Sequence, residues 1–63
     1  MYKAITNKFI NINQRRVAEK VGIAFETINR IINNKQNCSK MTAYCIVKAI
    51  DCNSEIEDYF MKI

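Results

Sequence analysis

The stretch VGIAFETINRIINN, residues 21–34, decides how the rest of this chain is read. It begins beside the protein's single glycine and continues as a run with two opposite characters. At about 100° per residue, Asn29, Asn33, Glu26 and Arg30 fall at roughly 40–140° from Phe25. Thr27, Ile28, Ile31 and Ile32 fall at roughly 200–340°. The spacing predicts a helix over residues 25–33, with an isoleucine face for a core and a polar face for water or a polar partner. Asn34 is the next-best residue after glycine for the left-handed turn that ends a helix. Ordinary solvated helix faces favour Glu, Lys and Gln, which are good helix formers. Asn at 29 and 33 is a poor one, so something other than helix stability favours it. Side chains that read base edges are of this kind: Asn pairs with adenine, Arg with guanine, and Glu accepts from cytosine. The competing reading is a solvated face in a chain that holds eight asparagines.

Upstream, residues 14–21 read as a helix with Asn13 as N-cap. Val17, Ala18 and Val21 line one side, while Arg15, Arg16, Glu19 and Lys20 face out. Gly22 stands where a helix commonly ends in a left-handed residue. A connection of roughly three residues is too tight for an antiparallel hairpin and favours a steep crossing. Ala18 is small where the two helices would touch, and Val21, Ile23 and Ile28 would fill the angle between them. Such a unit leaves the 25–33 helix proud of the body, able to enter a major groove about 12 Å wide.

Three further helices are expected. Residues 2–10 offer Ile5, Phe9 and Ile12 as inward positions. Residues 40–50 follow Ser39 as N-cap, with Met41, Cys45, Ala49 and Ile50 as core. Residues 55–62 follow a capping box of Ser54 with Glu57, before Ile56, Tyr59, Phe60 and Ile63 at helical spacing. Strand-like alternation is absent, and one Gly with no Pro argues against a turn-rich β protein. The expectation is one all-α domain over residues 1–63, a compact bundle of five helices.

A chain of 63 residues buries only roughly 60% of the surface its unfolded form exposes, which leaves little for both a core and a deep active site. The net charge of +4 is uneven: residues 1–50 carry nine Lys/Arg against two Glu, and residues 51–63 carry Lys62 against four carboxylates. A basic body suggests a polyanionic partner, with a solubilising surface charge as the alternative. The longest uncharged run of the last third, residues 41–47, is far short of the ~20 residues that span a bilayer, so no membrane partner is expected. No signal peptide is visible, and three cysteines are an odd number, so reduced thiols in a cytoplasm are expected. Cys38, Cys45 and Cys52 are spaced by seven, but zinc sites use four ligands at shorter paired spacings and usually His, which this chain lacks. Small buried core residues are the better reading, and no metal or cofactor is expected. Without His, a nucleophile–base pair or a glycine-rich phosphate loop, no catalytic residue stands out and enzyme activity has little support. Glu55, Glu57 and Asp58 read as first-turn carboxylates that complement a helix dipole.

The run NQRRVAEKVGIAFETINRIINNK resembles the helix-turn-helix of the lambda-repressor and Cro-like (XRE-type) family. The matching positions are Gln14, Val17, Ala18, Lys20, Gly22, Thr27, Ile28, Arg30, Ile31 and Lys35. SKMTAYCIVKAI is similar to that family's fourth helix, and NSEIEDYF to the short helix that follows. The resemblance covers about residues 2–60 and implies a five-helix bundle with residues 25–33 as the recognition helix. It implies base contacts at Phe25, Glu26, Asn29 and Arg30, and phosphate contacts at Gln14 and around Asn33, Asn34 and Lys35. Arg15 and Arg16 join the phosphate set, because helix N-termini and basic side chains suit phosphates. Three residues depart from the pattern. Ala24 stands where the family often has Ser, Ile32 replaces a common Glu, and Phe25 replaces a polar residue that bonds to the glutamine matched by Gln14. Phe25 lies on the border of the two faces, with three readings open: edge of the core beside Ile32, contact with a thymine methyl, or anchor for a protein partner.

The resulting expectation is a sequence-specific double-stranded DNA-binding transcriptional regulator, a repressor of phage or plasmid type. Such domains commonly act as homodimers on two half-sites. Ile56, Tyr59, Phe60 and Ile63 are a candidate dimer face or, equally, residues that close the core. The alternative is a protein-binding module on the same fold, an antirepressor or small phage inhibitor of a regulatory protein, motivated by Phe25 beside Glu26. An antitoxin is a third reading.

Overall fold

Helices form where the sequence carries their start and stop signals. In the computed structural model, which describes all 63 residues, α1 spans Gln14–Val21, α2 Phe25–Ile32 and α3 Lys40–Ile50. Asn13 caps α1, its Oδ1 accepting from the Arg16 N–H at 3.1 Å, and Ser39 caps α3 by accepting from the Thr42 N–H at 3.2 Å. Ala24 gives α2 no side-chain cap. Gly22 ends α1 with φ +80°, and the N–H groups of Gly22 and Ile23 both donate to the Ala18 carbonyl. Asn34, at φ +62°, ends α2 in the same way. The Lys35 N–H reaches back to the Arg30 carbonyl and the Asn34 N–H to that of Ile31, the two bonds of a Schellman turn. The only two left-handed residues of the chain are therefore the two that its sequence marks.

The ends of the chain depart from the expected five helices. Residues 2–10 form a strand, β1 (Tyr2–Ala4), and a short 3-10 helix (Thr6–Phe9). Residues 55–62 form a second 3-10 helix (Ile56–Asp58) and a strand, β2 (Phe60–Lys62). The strands pair antiparallel, Tyr2 opposite Lys62 and Ala4 opposite Phe60, and Tyr2 also bridges to Cys38. Two three-residue strands are too short to register as alternation, and what holds them is pairing between opposite ends of the chain. Along β1 the inward residues are Tyr2 and Ala4, at 7% and 2% exposure, a period of two rather than 3.6. The capping box at the C-terminal turn exists one residue later than expected: the Asp58 carboxylate accepts from the Glu55 N–H at 2.8 Å. The Ser54 hydroxyl is engaged elsewhere, donating to Asp51 at 3.0 Å. That bond and the Asn53 N–H hold the Asp51 carboxyl below the usual carboxylate range, the N–H contributing most.

One core serves the whole chain. Val17 and Ala18 of α1, Ile28, Ile31 and Ile32 of α2, and Ala43, Ile46 and Val47 of α3 meet Tyr2, Ala4, Phe9, Cys38, Ile56 and Phe60. Phe9 packs on Tyr59 and edge-on against Phe60, with ring centroids at 5.3 and 5.6 Å. The expected phase of α3 is corrected: Met41 is exposed, and Ala43, Ile46 and Val47 face inward, with Cys45, Ala49 and Ile50 half-buried. The cysteines divide likewise. Cys38 is buried, Cys45 half-buried, and Cys52 exposed in the loop after α3, so the last is not a core residue.

Nothing lies within 4 Å of where a Cβ on Gly22 would stand, so only its backbone conformation demands glycine. Gly22→Ala is therefore expected to cost about 1 kcal/mol, the left-handed penalty partly offset by reduced freedom of the unfolded chain, and to lower Tm by about 5 °C. Calorimetry checks it. Burial pushes the Cys38 thiol above its ordinary range, so its contribution to stability holds at neutral pH and is lost as pH climbs through the raised value. In alkylation at pH 8, Cys52 reacts readily in the folded protein and Cys38 only after global opening, as mass spectrometry would show.

Candidate nucleic-acid interface

The isoleucines of α2 determine what its other face can do. Ile28, Ile31 and Ile32 are 0–2% exposed, and each such burial contributes about 1.5–3 kcal/mol. With that stripe fixed inward, Glu26, Arg30 and Asn33 are exposed and Asn29 and Phe25 half-buried. The polar edge expected from the sequence thus stands outward, next to the first turn of α1.

Two side-chain ties join that first turn to α2. Asn29 donates through Nδ2 to Gln14 Oε1 at 2.8 Å. The guanidinium carbon of Arg15 lies 4.4 Å from the centroid of the Phe25 ring. Gln14 and Arg15 are adjacent in α1, and Phe25 and Asn29 are one helical turn apart on α2, so the ties lie side by side. The bond to Gln14 uses one amide hydrogen of Asn29. It leaves Oδ1 and the second N–H, the acceptor–donor pair that adenine requires.

Arg30 is oriented from the other end of α2. Its Nε donates to Gln36 Oε1 at 3.2 Å and its Nη2 to Thr27 Oγ1 at 3.4 Å. Both acceptors are neutral side chains, and the remaining N–H groups of the guanidinium are left for a ligand. Beyond it, Asn34 Nδ2 donates to Thr6 Oγ1 at 2.9 Å, and that hydroxyl donates to the Ile32 carbonyl at 3.1 Å. Asn33 and Lys35 flank this turn and are exposed. Gln36, Thr27 and Thr6 are supporting residues that the sequence reading missed. Gln36 falls within reach of Arg30 only because the chain doubles back at Asn34. Thr6 arrives from a segment with no local signal of its position.

The structure brings together Gln14, Arg15, Phe25 and Asn29, and sets Glu26 and Arg30 on the same helix edge; Arg16 is exposed in the first turn of α1, which contains no acidic residue. Phe25 packs against the margin of the core while Arg15 covers its ring. It does not gather the four residues of the candidate dimer face: Ile56 and Phe60 are in the core at 7% and 1% exposure, Tyr59 is half-buried, and only Ile63 is exposed. No group of three or more His, Cys, Asp and Glu stands where it could hold a metal ion, and no helix is long and apolar enough to cross a membrane.

The Gln14–Asn29 tie is testable by stability alone. Gln14→Ala and Asn29→Ala are each expected to cost about 0.5–1.5 kcal/mol in urea denaturation, and the double variant no more than the larger single value, because both delete the same bond.

A sequence model of the helix-turn-helix family matches residues 10–56, well over half of the chain. Searches of curated proteins and of solved structures return no match. The matched span contains α1, its left-handed turn, α2 and α3, the parts that build the outward edge. On the match and on this arrangement, the protein belongs to the helix-turn-helix family of lambda-repressor and Cro-like type, a family of DNA-binding regulators.

Proposed function

We propose that the protein is a sequence-specific regulator that lays α2 in the major groove of duplex DNA and represses transcription by occupying its site. The observation that carries this reading is the outward Glu26–Asn29–Arg30–Asn33 edge, held by a dry isoleucine stripe on the opposite side of the same helix. Arg30 suits the O6 and N7 acceptors of guanine, Asn29 the N6 and N7 edge of adenine, and Glu26 the amino group of cytosine. Gln14, Arg15 and Arg16 at the start of α1, with Asn33, Asn34 and Lys35 beyond α2, flank that edge at both ends and supply phosphate contacts. The charge asymmetry supports the same assignment: nine of the ten Lys and Arg lie within residues 1–50.

One domain of this size reads about half a helical turn, so two copies on a two-fold-related pair of half-sites are expected, as in a phage- or plasmid-type repressor. A protein-docking function on the same fold has less support. It draws on a free aromatic at Phe25, and that ring is half-buried beneath Arg15.

Selection of bound duplexes from a random library tests the proposal. A palindromic consensus is expected, and recovery without any consensus overturns it. On the selected site, Arg30→Ala is expected to cost about 1–3 kcal/mol and to relax preference at one base pair. Lys35→Ala is expected to weaken all sequences alike and to lower the slope of log K against log salt by about 1. Titrations at several salt concentrations measure both.

A further inference from the structure

Phe25 occupies the first position of α2, beside the base-reading edge, yet its ring does not face open solvent. One face is covered by Arg15 at 4.4 Å, and the residue packs on the margin of the core. The ring lines a shallow groove with Arg15, Ala18, Glu19, Gly22 and Ile23. Arg15 has reason to need such a support. It sits in the first turn of α1, where the helix dipole is positive and the turn itself holds no acidic residue, the nearest carboxylate on the helix being Glu19 one turn further on. A cation there is unfavourable unless something else holds it. The contact sets the guanidinium carbon over the ring, and Arg15 makes no side-chain hydrogen bond within the chain, so its N–H groups are free for an oxygen ligand.

We infer that Phe25 is a positioning residue: its ring fixes the Arg15 guanidinium beside the recognition helix so that its N–H edge meets a DNA phosphate. This rests on the proposed DNA-binding function and assigns a different task to a residue that its position on the helix offers as a base reader. A mobile arginine must be ordered when the complex forms, whereas a stacked one is already in place. Because a phosphate carries no sequence information, the platform contributes to affinity equally on every duplex.

The test is a double-mutant cycle of Phe25→Leu and Arg15→Ala, read on the selected duplex and on one of random sequence at several salt concentrations. Arg15→Ala should lower the salt slope by about 1. Phe25→Leu should weaken binding about two- to fivefold, by the same factor on both duplexes. In the Arg15→Ala background it should have no further effect, and Phe25→Tyr should bind as the wild type. In the free protein, nuclear magnetic resonance should find the Arg15 side-chain protons shifted upfield by the ring, and at ordinary positions in Phe25→Leu. Should Phe25→Leu melt early enough to disturb binding, Phe25→Met and the wild-type ring shift carry the test. Loss of preference at a single base pair in Phe25→Leu makes Phe25 a base contact and overturns the inference, as do additive effects in the cycle or an absent ring shift. A wild-type protein that binds no duplex preferentially overturns the DNA reading itself, and this inference with it.

Discussion

The burial of Ile28, Ile31 and Ile32 is the constraint on which the interface depends. These three side chains lie on one stripe of a helix of only eight residues, and all are essentially dry. A helix this short has little stability of its own and takes its orientation from packing. Once the stripe is seated, no freedom of rotation remains about the helix axis. Glu26, Arg30 and Asn33 then face away from the body because nothing else is geometrically available to them. The left-handed residues at either side, Gly22 and Asn34, fix where the helix begins and ends along that axis.

The ties around α2 refine this placement. Gln14 and Arg15 hold one end through Asn29 and Phe25, and Gln36 and Thr27 hold Arg30 at the other. Each tie consumes only part of the hydrogen-bonding or stacking capacity of the group it orients. The edge is thereby ordered before any ligand arrives, while the donors that the ties do not use stay available.

How much of this could be read from the sequence depends on how far apart the interacting residues are. The caps Asn13 and Ser39, the left-handed residues Gly22 and Asn34, and the two faces of α2 are set by neighbours within a few positions, and those readings hold in the structure. The phase of α3 did not follow, because its stretch from Met41 to Val47 is apolar on nearly every side and gives little contrast to read. The terminal strands, read as helices, are held by partners from the opposite end of the chain. The same applies to the site: the identity of the outward residues was visible locally, but the Gln14–Asn29 bond and the Thr6–Asn34 link are tertiary and left no local trace.

The two-stranded sheet bears on where the functional unit stops. The match to the helix-turn-helix family model runs over residues 10–56, but Tyr2, Ala4, Phe9 and Phe60 lie outside it and supply four of the fourteen core residues. The helix-turn-helix pair is therefore not a separable module. Excision at the homology boundaries would remove the β1–β2 clasp and four core side chains, leaving a fragment without a closed interior. In this protein the hydrophobic interior extends beyond the motif by which it is recognised.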